Sequence, residues 1–283
     1  MLLKLIYVSV AISATFAIEL YKHDKAGDRY YLGFASYEDE YIASEDPPET
    51  YEEDLRSNHF DALIFTQSWP PTSCLQTKQK SRQCRNLANN EIWTIHGIWP
   101  TAWGTNGPSF CDKSHPFSTA NIKDLISQLE HQWPTIEKSS NHIGFWAYEW
   151  KKHGTCALQL PQLNTQHKYF FQALNWNSRY NILSILSAGG IIVGRNYPVA
   201  EIWNVVTRAL GVHPQLMCLK DNHRHVQYLS EIKICFDKNL SLINCKPLKG
   251  RRSGNPHSIE AMIAANSNCN INSPVTYPTP SSV

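Results

Sequence analysis

Eight cysteines constrain this chain more than anything else in its sequence: Cys74, Cys84, Cys111, Cys156, Cys218, Cys235, Cys245 and Cys269. The number is even, and no two of them form a CxxC pair. That spacing argues against a zinc ribbon or a dithiol redox motif and favours structural bridges. Disulfides persist in oxidising compartments, and the start of the chain agrees. Residues 1–17 read as a secretory signal peptide, with Lys4, an apolar run from Leu5 to Phe16, and small residues at Thr15 and Ala17. The run is shorter than the ~20 apolar residues of a membrane span, and no later run is long enough. Cysteine positions alone leave the connectivity open, since eight allow on the order of a hundred pairings.

The formal net charge of +2 conceals an uneven distribution. Residues 18–57 hold 12 acidic and four basic side chains and include Glu45-Asp46-Pro47-Pro48-Glu49, which suits a solvated, flexible arm. The rest, 58–283, carries about +9. A basic body suits a polyanionic partner, although solvated surface charge would give the same sum.

Strand-like and helix-like segments alternate along that body. Residues 60–67, 91–98 and 226–236 read as strands. Residues 118–130 have Ile122, Leu125, Ile126 and Leu129 at helical spacing, with Pro134 beyond. Residues 145–156, 169–186 (one helix or two) and 199–210, stopped by Gly211, read as further helices. The tail from Asn270, rich in Pro and Ser, reads as irregular. The mixture indicates an α+β fold.

Two segments carry chemistry. The first is Trp93-Thr94-Ile95-His96-Gly97-Ile98-Trp99-Pro100. The second runs from Phe145 to Cys156 and contains Tyr148, Glu149, Lys152 and His153. On a helix, Glu149, Lys152 and His153 share one side. An ordinary surface ion pair would look the same, but a second imidazole at His96 suits one reaction type. Cleavage of a ribose phosphodiester needs a base for the 2′-OH proton and an acid for the departing 5′ oxygen, and histidine can do either near neutrality. A lysine stabilises charge on the phosphoryl oxygens. No metal or other cofactor is required.

His96-Gly97-Ile98-Trp99-Pro100 and Glu149-Trp150-Lys151-Lys152-His153-Gly154-Thr155-Cys156 resemble the two active-site signatures of the ribonuclease T2 family. The resemblance runs from about residue 60 to about 280. It takes in Gln67-Ser68-Trp69-Pro70, the Tyr169-Phe170 segment, Gly211 to Cys218, and Glu231-Ile232-Lys233-Ile234-Cys235. It implies an antiparallel sheet with packed helices, and the animal-type bridges Cys74–Cys84, Cys111–Cys156, Cys218–Cys269 and Cys235–Cys245. It implies catalytic roles for His153 as base, His96 as acid, and Glu149 and Lys152 at the phosphorus. Trp99 would stack on a base or pack in the core, and Tyr148 would bind phosphate. The chain departs from the family pattern at Tyr148, where a His is usual, and at Thr101, where an Asp is frequent.

The expected function is a secreted or lysosomal endoribonuclease acting on single-stranded RNA as a monomer, without metal or membrane. Products would be 2′,3′-cyclic phosphates, then 3′-phosphates. Asn239-Leu240-Ser241 is an acceptor sequon for a glycan. Two other readings compete: an extracellular binding protein that keeps the fold, and a zinc hydrolase using His96, Glu149 and His153, which lacks the HExxH spacing.

Overall fold

The computed structural model describes residues 58–85, 92–105, 107–251 and 258–280, all within the unit Pro47–Val283. The expected signal peptide (1–17) and acidic arm (18–57) lie outside the described residues.

The longest strand, Val226–Phe236, organises the sheet. In chain order the strands are β1 (Ala62–Ser68), β2 (Thr94–Thr101), β3 (Arg195–Tyr197), β4 (Gln215–Asp221), β5 (Val226–Phe236), β6 (Leu242–Ile243) and β7 (Val275–Tyr277). Strand β1 lies between β2 and β5 and is antiparallel to both. β4 and β6 pair with the opposite edge of β5, and β7 continues from β1's side to β3. The β5–β7 pairing is parallel, so the sheet departs there from the antiparallel pattern. β7 also places a strand in the tail read as irregular.

Side-chain alternation divides the sheet into two faces of different chemistry. Leu63 and Phe65 of β1, Ile98 of β2, and Ile232, Ile234 and Phe236 of β5 belong to the main core. On that face lies the helix Gln166–Arg179, whose Trp176 stacks on Phe236 with ring centroids 3.8 Å apart. Its Tyr169 hydroxyl donates to the Ile98 carbonyl at 2.9 Å. The register places Ile64, Thr66 and Ser68 beside Cys235, Lys233 and Glu231 on the other face, with Gly97 and Trp99 next to them. This second face carries the polar groups of the site.

The helices are α1 (Pro70–Gln79), α2 (Ile126–Gln132), α3 (His142–Lys152), α4 (Gln166–Arg179), α5 (Ile182–Ala188), α6 (Val199–Leu210) and α7 (Ile259–Ala265). α6 has the expected bounds, and Gly211 ends it at φ 72°, a left-handed geometry that glycine adopts without steric cost. The expected helix over 118–130 is instead a 3₁₀ turn, Thr119–Ile122, followed by α2. Ile122, Leu125 and Leu129 are buried in either arrangement, so their spacing reported burial and not hydrogen-bond pattern. The segment 169–186 is two helices, α4 and α5.

All four disulfides are those implied by the resemblance: Cys74–Cys84, Cys111–Cys156, Cys218–Cys269 and Cys235–Cys245. Cys111–Cys156 anchors the chain immediately after His153, and Cys235–Cys245 lies beneath Trp99 in a small second apolar cluster.

Candidate active site

His96 owes its position to an irregularity in β2. Thr66 pairs with Gly97 and Gln67 with Ile95, so His96 is the extra residue of a β-bulge. A bulge breaks the ladder locally and re-aims a side chain. Here it brings the imidazole across β1 to β5, where Nδ1 meets Oε1 of Glu231 at 2.6 Å. The Ser68 hydroxyl donates to the same oxygen at 3.1 Å. With Nδ1 committed to Glu231, Nε2 is the nitrogen left to meet a substrate.

α3 supplies the rest. Asn141 caps it, its side-chain oxygen accepting from the Gly144 N–H. Trp146, Glu149 and Trp150 form its buried side, and Lys152 follows Glu149 by three residues. His153 ends the helix and leads into the 3₁₀ turn Gly154–Ala157. A Cβ on Gly154 would lie 2.3 Å from the Trp150 ring, so only glycine permits that turn. A Cβ on Gly97 would lie 2.4 Å from Trp99 Nε1 and 2.5 Å from Glu149 Oε2. The bare backbone there lets helix and strand meet.

Trp99 is the point of convergence. Its Nε1 donates to Glu149 Oε2 at 3.2 Å. The His96 ring meets it edge-on with centroids 4.9 Å apart, and the His153 ring lies 5.5 Å away at 33°. The Lys233 ammonium sits over the same ring, 5.0 Å from its centroid. The expectation left Trp99 between stacking on a base and packing in the core; its ring is packed among the ionisable groups of the site. Tyr148 lies half-buried on α3, with the Lys152 ammonium 5.5 Å from its ring.

The electrostatics separate the two histidines. Burial disfavours the charged form of His96, but the charge of the Glu231 carboxylate and its hydrogen bond outweigh this, so the pKa is raised. Glu231, despite its burial, is pulled down to about 2, chiefly by the charge of His96 and the hydrogen bond with it. His153 moves the other way. Burial lowers its pKa well below the usual histidine value, and the Lys152 and His96 charges lower it further. Its Nδ1 is buried with no hydrogen-bond partner among the described residues, so nothing near it holds a proton there. Burial raises Glu149 to about 6, against the opposing pull of His96, the Trp99 hydrogen bond and Lys152. Near neutral pH, then, His96 is biased toward the charged form and His153 is neutral. Environments that push two titratable groups apart in this way provide an acid and a base.

The four residues singled out for catalysis are thus brought together. Glu231 and Lys233 had no assigned role from sequence. Their signal was two charged side chains at i and i+2 in the middle of an otherwise apolar strand, where burial makes a charge costly unless it is paired. Among the described residues no group of three or more His, Cys, Asp or Glu side chains is placed to hold a metal ion. Asn239 is exposed in the turn between β5 and β6.

Comparison with known proteins agrees with this geometry. The sequence profile of the Ribonuclease T2 family matches residues 60–245. The chain belongs to the ribonuclease T2 family. It is 35% identical over 230 residues to mouse "Ribonuclease T2-A", covering 79% of this chain and 85% of that protein. It is 36% identical to tomato "Extracellular ribonuclease LE", covering 69% and 84%. Among solved structures, human RNase T2 superposes with a TM-score of 0.57 at 34% identity, covering 66% of this chain and 90% of that one. The resemblance read from the two signatures therefore holds along the catalytic body, and the chain is an endoribonuclease of the T2 type.

Proposed function

We propose that residues 58–283 form a catalytic domain that cleaves single-stranded RNA by transphosphorylation. Neutral His153 takes the 2′-OH proton, the 2′ oxygen attacks the phosphorus, and His96, charged and oriented by Glu231, protonates the departing 5′ oxygen. The product is a 2′,3′-cyclic phosphate. In the second step the roles reverse: His96 activates water, and His153 returns a proton to the 2′ oxygen to leave a 3′-phosphate. Lys152 stabilises charge on the non-bridging oxygens, while Glu149 holds Trp99 and adjusts the charge near both histidines. Trp99 is a spacer that fixes the separation of the two rings. The reaction uses no metal or cofactor, and the enzyme acts as a monomer. We further assign it to the secretory route, as a secreted or lysosomal enzyme carrying a glycan at Asn239. Two observations support that route: four disulfides, and similarity to a relative whose name describes it as extracellular. Among the described residues no helix is long and apolar enough to cross a membrane.

The observation that carries this reading is the opposed pKa shift of two imidazoles packed on one tryptophan. The test is digestion of yeast RNA in excess EDTA, with analysis of the ends. Cyclic phosphates appearing before 3′-phosphates, with DNA untouched and no cleavage by His96→Phe or His153→Phe, are expected. Activity surviving both replacements, or 5′-phosphate ends, would overturn it.

A further inference from the structure

Beside the catalytic helix an aromatic side chain is held in the open. Phe110 is 42% exposed, on a backbone with φ 55°. A bulky residue in the left-handed region is unfavourable by roughly 1–2 kcal/mol, and such residues persist where the surroundings over-determine them. Here they do. The Phe110 N–H donates to the Lys152 carbonyl at 2.9 Å, and the next residue is tied by Cys111–Cys156 to the turn after His153. The ring is thereby fixed against the C-terminal end of α3. Tyr148 meets it edge-on at 6.2 Å, the Lys151 ammonium lies 5.8 Å from its centroid, and Lys152 caps Tyr148. The result is two aromatic rings and two ammonium groups within one helical turn of Glu149.

We propose that Phe110 and Tyr148 form a stacking subsite for a nucleobase of the RNA flanking the scissile step, with Lys151 holding an adjacent phosphate. The occupant follows from the chemistry of the patch. Exposed rings interleaved with cations are the arrangement that binds single strands without reading sequence, because every base has a π-face and every linkage an anion. A protein partner's apolar side chain would gain little from two flanking ammonium groups. Tyr148 supplies a flat ring where the family pattern usually has a histidine, so the departure at that position changes a charge into a platform. The subsite extends the grip on the strand beyond the phosphorus and makes affinity grow with RNA length.

This inference rests on RNA being the substrate, and the experiment separates the two. Binding of a non-cleavable 2′-O-methyl octanucleotide is measured by fluorescence anisotropy for wild type, Phe110→Asn and Phe110→Leu. Asn tolerates the left-handed backbone; Leu keeps apolar bulk without a ring. Cleavage of an RNA octanucleotide and hydrolysis of a nucleoside 2′,3′-cyclic phosphate are measured in parallel. Base stacking of ~1–3 kcal/mol corresponds to roughly 5- to 150-fold. Both variants should therefore bind the octanucleotide at least about fivefold more weakly and raise its KM, with kcat and the cyclic mononucleotide rate unchanged. Equal octanucleotide affinity in wild type and either variant overturns the subsite. So does a loss of the same size on the cyclic mononucleotide. Wild type that binds the octanucleotide in a Phe110-dependent way but never cleaves RNA leaves the subsite standing and removes the catalytic reading.

Discussion

Nδ1 of His96 lies 2.6 Å from Oε1 of Glu231, which joins β2 to β5 across the strand between them. The contact spans 135 residues of sequence and depends on the bulge that sets His96 out of the regular ladder. It makes Glu231 a positioning residue: it orients the imidazole, keeps Nε2 toward the cleft and raises the pKa of the group that must arrive charged.

Removing that carboxylate's charge should move the alkaline limb of the activity profile. An adjacent opposite charge is worth about 1–3 pKa units, so Glu231→Gln should shift the limb governed by His96 to lower pH by at least about one unit. Activity near pH 5 should change little, while activity near pH 7 falls about tenfold or more. The measurement is kcat/KM against pH on a dinucleotide. An unmoved limb would mean that Glu231 does not tune His96.

Glu149 should cost stability. Its pKa, raised to about 6 by burial, means that the folded protein holds a proton that the unfolded chain releases above about 4.5. Stability therefore falls as pH rises from about 4.5 through about 6 and stays reduced above that. Glu149→Gln retains an acceptor for Trp99 and removes the effect. It should be more stable than wild type by about 2 kcal/mol at pH 7 and nearly equal at pH 4. Urea unfolding at the two pH values reads this directly, and a variant less stable than wild type at pH 7 would contradict it.

Gly97 should be irreplaceable for a reason unrelated to backbone freedom. A methyl group there meets Trp99 Nε1 and Glu149 Oε2 at once. Gly97→Ala should displace Trp99 and, with it, the spacing of the two imidazoles. The expected loss in kcat is about 100-fold, since misplacement of about 1 Å carries a cost of that order, with destabilisation of about 1–3 kcal/mol. An alanine variant with wild-type kcat would show that the Trp99–Glu149 contact is dispensable.

Much of this site was legible in the sequence because its chemistry is local. Glu149, Lys152 and His153 fall on one short helix, and His96 and Trp99 on one strand, so residue type and spacing carried the signal. The β5 strand was legible for a related reason: its apolar residues alternate along 226–236 and feed the main core. What escaped was non-local. Glu231 acquires its role only when β1 and β2 are laid beside β5 in register. The β2 bulge is one surplus residue in a pairing that neither strand reveals by itself. α1 begins with Pro70-Pro71, which reads as a break and serves as a helix start. β4, with a partly polar sequence, is held by its pairing to β5.

The central claim is that His96 is the acid and His153 the base at one phosphorus, and leaving-group rescue tests it most directly. A dinucleotide with sulfur in place of the bridging 5′ oxygen departs without needing a proton. His96→Ala should cleave this substrate at close to the wild-type rate while failing on the oxygen substrate, and His153→Ala should fail on both. Rescue of His153→Ala, or no rescue of His96→Ala, would contradict the assignment.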